Sequence, residues 1–451
     1  MQTIGRKALV LVVLWLSISL TVSLSYKALG WDEAMYGCIS RELVRNLWGF
    51  KICGIPVLHK PPLYPYIVAI ICRTLGKYNE LILRLVPVIS GMLTLIVTQL
   101  IYMEVEKERG VLPLVILSLI PLHIYFSSRC LSDVLGSLTA TLVILSAIQC
   151  RKRAVSYVAL GISAALSIMA RYTNLQIAAI AALYLILACR NIRGIIVAAL
   201  SFIISILPLL LLNFKLYNHP YKGLYFASRL IQMDVPISNW LYVSWVLIYL
   251  NPLFVAFSLV GAYYLIKDKK AERLIIVLWW IIPIISNLFL VHKEERFLMV
   301  VCPATAILAT IGIRRVVKSK ITIFALILAS LLISSYVFID FYERNVFIGE
   351  AAMKAGLFLR KVSSEGEIIC SELVPQIAYY ANRTTIRFPR SQDEFDKLVS
   401  RGKLRYIAIG GERAGIPDYI SEKIRSKEII EIASFTDSKN KITVRVYEVG
   451  S

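Results

Sequence analysis

Long apolar runs separated by short polar gaps fill the first three-quarters of the chain. About eleven of them approach the ~20 residues needed to cross a hydrocarbon layer. They fall at 8–25, 81–103, 111–127, 131–149, 155–170, 174–189, 195–214, 240–266, 274–291, 297–313 and 321–340. The pattern predicts an α-helical polytopic membrane protein, with 155–170 and 174–189 as a short adjoining pair. Beyond residue 340 the rhythm changes. Short stretches alternate there: EIIC, PQIAYYAN, TTIRF, DEFDKLVS, LRYIAIG, PDYISEKIR, IIEIASF and ITVRVYEV. Such alternation predicts a small α/β domain with a partly parallel sheet. The expected division is a membrane domain over 1–340 and a separate domain over 341–451.

Composition agrees with this reading. The chain has 451 residues, of which 58% are hydrophobic and 18% charged, whereas soluble domains average about 25% charged. The formal net charge of +21 does not point to nucleic acid, because the basic residues crowd particular gaps. Lys107/Arg109, Arg151-Lys152-Arg153, Arg190/Arg193, Lys267/Lys269/Lys270/Arg273 and Arg314/Arg315/Lys318/Lys320 each lie between apolar runs, and Arg6 and Lys7 precede the first. The positive-inside rule makes these gaps cytoplasmic. The segment SYKALGWDE lacks a small-x-small cleavage site, so the first run is expected to remain as a helix. Eight cysteines without CxxC spacing exclude a recognisable zinc or redox motif. Cys38 and Cys53 share one outer loop, which leaves their pairing open.

With these gaps inside, the outer face receives 26–80, 128–132, the turn near 171–174, 215–239, the HKEERFL turn and everything after 340. In WDEAMYGCISRELVRNLW, Met35, Ile39, Leu43 and Leu47 recur every fourth residue, as in a helix lying along a membrane surface. Lys60-Pro61-Pro62 then imposes an extended segment, followed by LYPYIVAIICRTLG, which is too short and interrupted for a full span. Asn382-Arg383-Thr384 is a glycosylation acceptor sequence. IGGERAG matches neither a Rossmann nor a P-loop fingerprint and reads as a turn.

The chemically interesting residues gather on that outer face. Asp32 and Glu33 follow the first run; Asp32 suits a helix N-cap or a base at the membrane boundary. Lys60 suits a snorkelling lysine or an ammonium beside an anionic headgroup. Asp133 stands at the outer end of an apolar run, where an ionisable residue is expensive and is a functional candidate by default. Arg129 is its expected partner. Arg171 is a cation at the tip of a short helical hairpin. His292, Lys293 and Arg296 crowd a turn without Gly or Pro, with Glu294 and Glu295 able to hold them. Together these residues suit transfer from a lipid phosphate. Cations bind the phosphate, arginine bidentately, while a carboxylate deprotonates an attacking hydroxyl.

The order WDEAMYG, HKPPLYPY, SRCLSDVLG, HKEERFL resembles the GT-C superfamily of polyprenyl-phosphate-dependent glycosyltransferases. The Asp-Glu and Lys-Pro-Pro elements resemble the protein O-mannosyltransferase and aminoarabinose-transferase branch. HKEERFL is similar instead to mannosyltransferases of lipid-linked oligosaccharide and glycolipid-anchor assembly. The resemblance covers about 1–340 and implies GT-C architecture, with a C-terminal soluble domain often appended in the first branch. It implies Asp32 as catalytic base, Glu33 as its neighbour near the acceptor and Asp133 as a second acidic position. It places Lys60, His292, Lys293 and Arg296 at the donor phosphate, with Arg129 and Arg171 added by position. The expected reaction is inverting transfer of a sugar, mannose by the HKEERFL resemblance, from polyprenyl or dolichyl phosphate. The acceptor is a hydroxyl of a protein, glycan or lipid at the outer face of the cell membrane. No cofactor or obligatory metal is expected, because the candidate site has no DxD-like pair and a lipid monophosphate needs less charge neutralisation than a nucleotide diphosphate. A transporter or flippase of lipid-linked glycans would put its charges near the midplane, often in two repeated halves. An oligosaccharyltransferase would carry a WWD-type motif in the soluble domain, whereas Trp279-Trp280 lies in an apolar run.

Overall fold

A computed structural model describes residues 5–233, 235–410, 416–439 and 441–450; most of the IGGERAG turn therefore lies outside the described residues. The chain divides into two compact units. The first comprises Met1–Ser23, Leu58–Val68 and Leu81–Tyr342, and the second Leu24–Val57, Ala69–Glu80 and Glu343–Ser451.

The first unit is helical. Among the described residues seven stretches are long and apolar enough to cross a membrane, eight if one bent pair is a single span. This is fewer than the apolar runs, for physical reasons. Run 111–127 is broken into Leu112–Leu119 and Pro121–Ser127, because Pro121 cannot continue the preceding helix. Asn239–Tyr249 and Pro252–Lys267 meet at 93°. Between them Asn251 adopts φ +69, and its carboxamide donates to the Ser330 carbonyl (3.0 Å) and Ser334 Oγ (2.9 Å). Leu63–Thr74, Asp133–Gln149 and Val155–Ala170 are shorter apolar helices.

The basic gaps meet at one end of this unit. Lys152 pairs with Glu104, Arg151 with Glu272 (2.8 Å), Arg273 with Glu106 (2.9 Å) and Arg314 with Glu108. The helix Asp133–Gln149 has 17 residues, about 25 Å of rise, and reaches this collar at its C-terminal end. Asp133 therefore lies at the far end from the collar.

In the second unit the helix Trp31–Arg45 buries Met35, Ile39 and Leu43; Leu47 falls beyond its end and is exposed. A hairpin follows, β1 (Lys51–Ile52) and β2 (Ile55–Pro56), turned at Cys53 and Gly54 with φ +48 and +83. The C-terminal part holds β3 (Ile368–Ser371), β4 (Thr384–Ile386), β5 (Leu404–Ile409), β6 (Ile429–Thr436) and β7 (Thr443–Val449). Their order is β4-β3-β5-β7-β6. β3 runs parallel to β4 and β5, while β7 is antiparallel to β5 and β6, so the sheet is mixed as the alternation predicts. Alternate residues of β5 serve opposite faces. Tyr406 and Ala408 pack with Ala355, Leu359 and Ile377, and Ile407 and Ile409 with Phe395 and Ile420.

Two glycines let the helices Pro252–Lys267 and Cys302–Val316 approach closely. A Cβ on Gly261 would run into the Leu308 carbonyl, and one on Gly312 into that of Phe257. Gly312→Ala is expected to destabilise the unit by about 1–3 kcal/mol, read as a lower unfolding midpoint in detergent. Gly366→Ala, which meets nothing within 4 Å, should leave the midpoint unchanged.

Candidate functional site

Lys60, Arg129, Asp133, Arg171, His292, Lys293 and Arg296 belong to the first unit, and Asp32 and Glu33 to the second.

In the first unit the centre is an ion pair. Asp133 opens its helix and is 2% exposed; its carboxylate is met by the guanidinium of Arg171. Arg171 stands where the helix Val155–Ala170 ends and turns the chain with an extended backbone (φ −158, ψ 118). Its Nε donates to Thr173 Oγ1 at 3.2 Å, and its guanidinium lies 5.0 Å from the Phe297 ring centroid. Arg129, the partner expected from sequence, donates instead to the Tyr125 hydroxyl at 2.8 Å. Arg171 sits far from Asp133 in the chain, so sequence spacing gave it no priority as a partner.

HKEERFL is not a loop between two helices. Its last residues begin a tight i→i+3 run, Glu295–Val301, which passes directly into the helix Cys302–Val316. Runs of this kind longer than three or four residues are uncommon. Pro303 at the helix start suits the change of winding, since its missing N–H has no partner to lose there. The run is fixed to the Asp133 helix by Ser137 Oγ, which donates to the Met299 carbonyl at 3.0 Å. Glu294 gathers the turn, accepting from Arg296 Nη2 at 2.7 Å and lying 3.3 Å from His292 Nε2. His292 Nδ1 lies 3.0 Å from the Val235 carbonyl. Lys293 is 4% exposed, and its ammonium donates to the carbonyls of Ile237 (2.9 Å) and Leu290 (2.5 Å). It thereby clasps the turn to the segment that precedes the helix Asn239–Tyr249.

The Lys60 segment is tied into the same unit from two sides. Leu58 N–H donates to the Tyr217 hydroxyl (3.0 Å), and the Tyr172 hydroxyl donates to the Leu58 carbonyl (2.9 Å). Tyr172 adjoins Arg171, so the Lys-Pro-Pro element and the Asp133–Arg171 pair share an anchor. The pattern of charges did not disclose either tyrosine. Lys60 itself is half-buried.

In the second unit the helix N-cap is Gly30, not Asp32. Glu33 does the capping instead. It is buried, and its Oε2 accepts the Gly30 N–H at 2.6 Å. Asp32, one residue earlier, is half-buried. The helix is held to the C-terminal helix Val374–Ala381. The Tyr380 hydroxyl accepts from the Leu29 N–H at 2.7 Å, just before the helix begins. A Cβ on Gly37 would press on the Tyr379 ring at 2.6 Å. Arg41 donates to Asn382 Oδ1 and the Tyr379 carbonyl, both at 2.8 Å. Burial, with Tyr78 and Glu80 alongside, pushes the Tyr379 phenol far up, so it keeps its proton and donates to Glu80 at 2.9 Å. Cys38 and Cys53 are both free thiols. Among the described residues no group of three or more His, Cys, Asp or Glu is placed to hold a metal ion.

The Asp133–Arg171 pair is almost fully desolvated, with side chains 3% and 12% exposed. Removing one partner strands the other charge, at a cost of about 3–5 kcal/mol. Arg171→Met alone should lower the unfolding midpoint sharply, and adding Asp133→Asn should restore most of it. A double variant no more stable than the single one would show that the pair is not what holds this end of the unit.

Two family models match successive parts of the chain. That of the dolichyl-phosphate-mannose-protein mannosyltransferases matches residues 59–212, a range that includes Lys60, Arg129, Asp133 and Arg171. That of the Alg9-like mannosyltransferase family matches residues 237–362, which include His292–Phe297. The dolichyl-phosphooligosaccharide-protein glycotransferase 2 of Pyrococcus furiosus is 31% identical over 109 residues, 23% of this chain and 15% of that protein. The chain thus spans a small part of that relative's length. Among solved structures, ArnT from Cupriavidus metallidurans bound to undecaprenyl phosphate aligns with TM-score 0.76 at 12% identity, over 98% of both chains. The archaeal oligosaccharyltransferase AglB from Archaeoglobus fulgidus, in complex with an inhibitory peptide and a dolichol-phosphate, aligns with TM-score 0.61 at 12% identity. That alignment covers 97% of this chain and 74% of AglB. The chain has the GT-C glycosyltransferase fold, a multi-pass helical membrane protein with a small C-terminal sheet domain, and two mannosyltransferase family models match within it.

Proposed function

We propose that the protein transfers a sugar, mannose by both matching family models, from a polyprenyl or dolichyl phosphate to an acceptor hydroxyl at the extracytoplasmic face. Asp32 takes the hydroxyl proton, the freed oxygen attacks the anomeric carbon, and the carbon–oxygen bond to phosphate breaks. The lipid phosphate leaves with the electron pair, and a single displacement inverts the anomeric centre. Phosphate is a good leaving group, so this needs one base and several cations, unlike the acid-plus-base pair of an inverting glycosidase.

The observation that carries this reading is the grouping at the outer end of the first unit. Residues from separate segments, Asp133, Arg171 and Phe297, meet there, with Arg296 and His292 oriented by Glu294. An arginine guanidinium matches the geometry of a phosphate and can engage it bidentately. Arg171 and Arg296 are therefore cast as the donor-phosphate grip, joined by Lys60, Arg129 and His292. Lys293 is cast as the clasp that shapes the turn. A lipid monophosphate carries less charge than a nucleotide diphosphate, so these cations suffice without an obligatory divalent metal.

The test uses purified protein with labelled polyprenyl-phosphate mannose and candidate acceptors. Asp32→Asn should lower transfer by about 100-fold or more, in keeping with loss of a general base, while donor affinity and unfolding midpoint hold. Full activity in this variant would remove Asp32 from the role. A chelator should leave the wild-type rate unchanged, and its complete loss would contradict the metal-free mechanism.

A further inference from the structure

We propose that the second unit contains a separate binding site for a small anionic sugar, at the end of the Trp31–Arg45 helix away from Asp32. A cavity of about 330 Å³ lies there, at the lower end of the ~300–1,000 Å³ usual for small-ligand sites. Its walls come from three parts of the unit: the helix Trp31–Arg45, the β1–β2 hairpin and the C-terminal segment around Asn382. The lining residue of that helix nearest to Asp32 is Cys38, six residues on, about 9 Å along its axis. Neither Asp32 nor Glu33 lines the cavity.

Its lining is unlike that of an apolar ligand pocket. Four cations, Arg41, Arg45, Lys51 and Arg383, face two carboxylates, Glu42 and Glu365. Ile52 and Ala378 are the aliphatic contributions. Two of the cations are committed to the wall. Arg41 bonds Asn382 Oδ1 and the Tyr379 carbonyl, and Arg383 donates to the Ser363 carbonyl at 2.8 Å. The side chains of Arg45 and Lys51 enter no ion pair or hydrogen bond among the described residues. The negative end of the helix dipole would account for Arg45 alone, but not for Lys51, which comes from the hairpin.

Two uncommitted cations on a prearranged wall favour an oxyanion, with Arg45 able to grip it bidentately. The rest of the wall suits hydroxyl groups. Glu42 and Glu365 accept hydrogen bonds, and the Asn382 amide, its oxygen held by Arg41, has N–H groups to donate. A carboxylated or phosphorylated sugar meets both demands. Cys38 and Cys53 line the same cavity and serve as reporters of occupancy.

Isothermal titration of the full chain in detergent with glucuronic acid and glucose 6-phosphate should show binding, and each should slow maleimide labelling of Cys53. Removing a charge-assisted contact costs roughly tenfold in affinity, so Arg45→Ala with Lys51→Ala should weaken binding by roughly 100-fold. Arg45→Lys keeps the charge and should weaken it several-fold through loss of the fork. Neutral glucose binding as well as the charged sugars would overturn the proposal. So would inorganic phosphate matching glucose 6-phosphate, or the absence of any protection at Cys53. None of these measurements uses a lipid-linked donor, so their failure is separable from failure of the transferase reading.

Discussion

The ion pair between Asp133 and Arg171 holds together the end of the helical unit opposite the basic collar. A buried charge is tolerated only when paired, and this pair is nearly sealed from solvent. It joins the start of one helix to the end of another, and the Phe297 ring lies against its guanidinium. This contact and the Ser137–Met299 hydrogen bond tie the Glu295–Val301 run to this end of the unit. The HKEERFL turn then winds tightly into the most buried of the candidate spans, with Glu295 and Arg296 at the start of the winding.

The second unit solves a different problem with similar means. Asp32 and Glu33 lie in the first turn of a helix that buries Met35, Ile39 and Leu43. The C-terminal residues hold it. Tyr380 binds the main chain just before the helix, Tyr379 fills the space left open by Gly37, and Arg41 ties the middle to Asn382. Glu33 satisfies the first backbone donor, leaving its neighbour Asp32 without that capping duty. Residues far along the chain thus acquire a role in placing the helix Trp31–Arg45.

Much of this was legible in the sequence, and what was not follows a physical rule. Strand and helix alternation after residue 345 is a local signal, and the eight C-terminal stretches fold as that signal indicates. The helix Trp31–Arg45 was equally plain from Met35, Ile39 and Leu43, whose burial is within the second unit. Tertiary pairings were not. Arg129 is near Asp133 in sequence and Arg171 is not, yet geometry chose the latter. Lys293 reads as one more cation until its ammonium is seen on two carbonyls. The Ile120–Pro121 break and the bend at Asn251 shorten spans that hydropathy runs together. The amphipathic helix Lys222–Met233 lay within 215–239, which read only as a loop. The Asp32 and HKEERFL motifs were recognisable by their residues, whereas the tyrosines that anchor the Lys60 segment were chemically silent.

The central claim is that a lipid-phosphate-linked sugar is passed to a hydroxyl by one direct displacement, at a site whose charges are organised around Asp133, Arg171 and the HKEERFL turn. The most direct measurement is the anomeric configuration of the product formed from a polyprenyl-phosphate sugar of known configuration, determined by NMR on the purified product. The account predicts an inverted linkage and one lipid phosphate released per sugar transferred. Retention of configuration, or movement of the intact lipid-linked sugar with no lipid phosphate released, would contradict it.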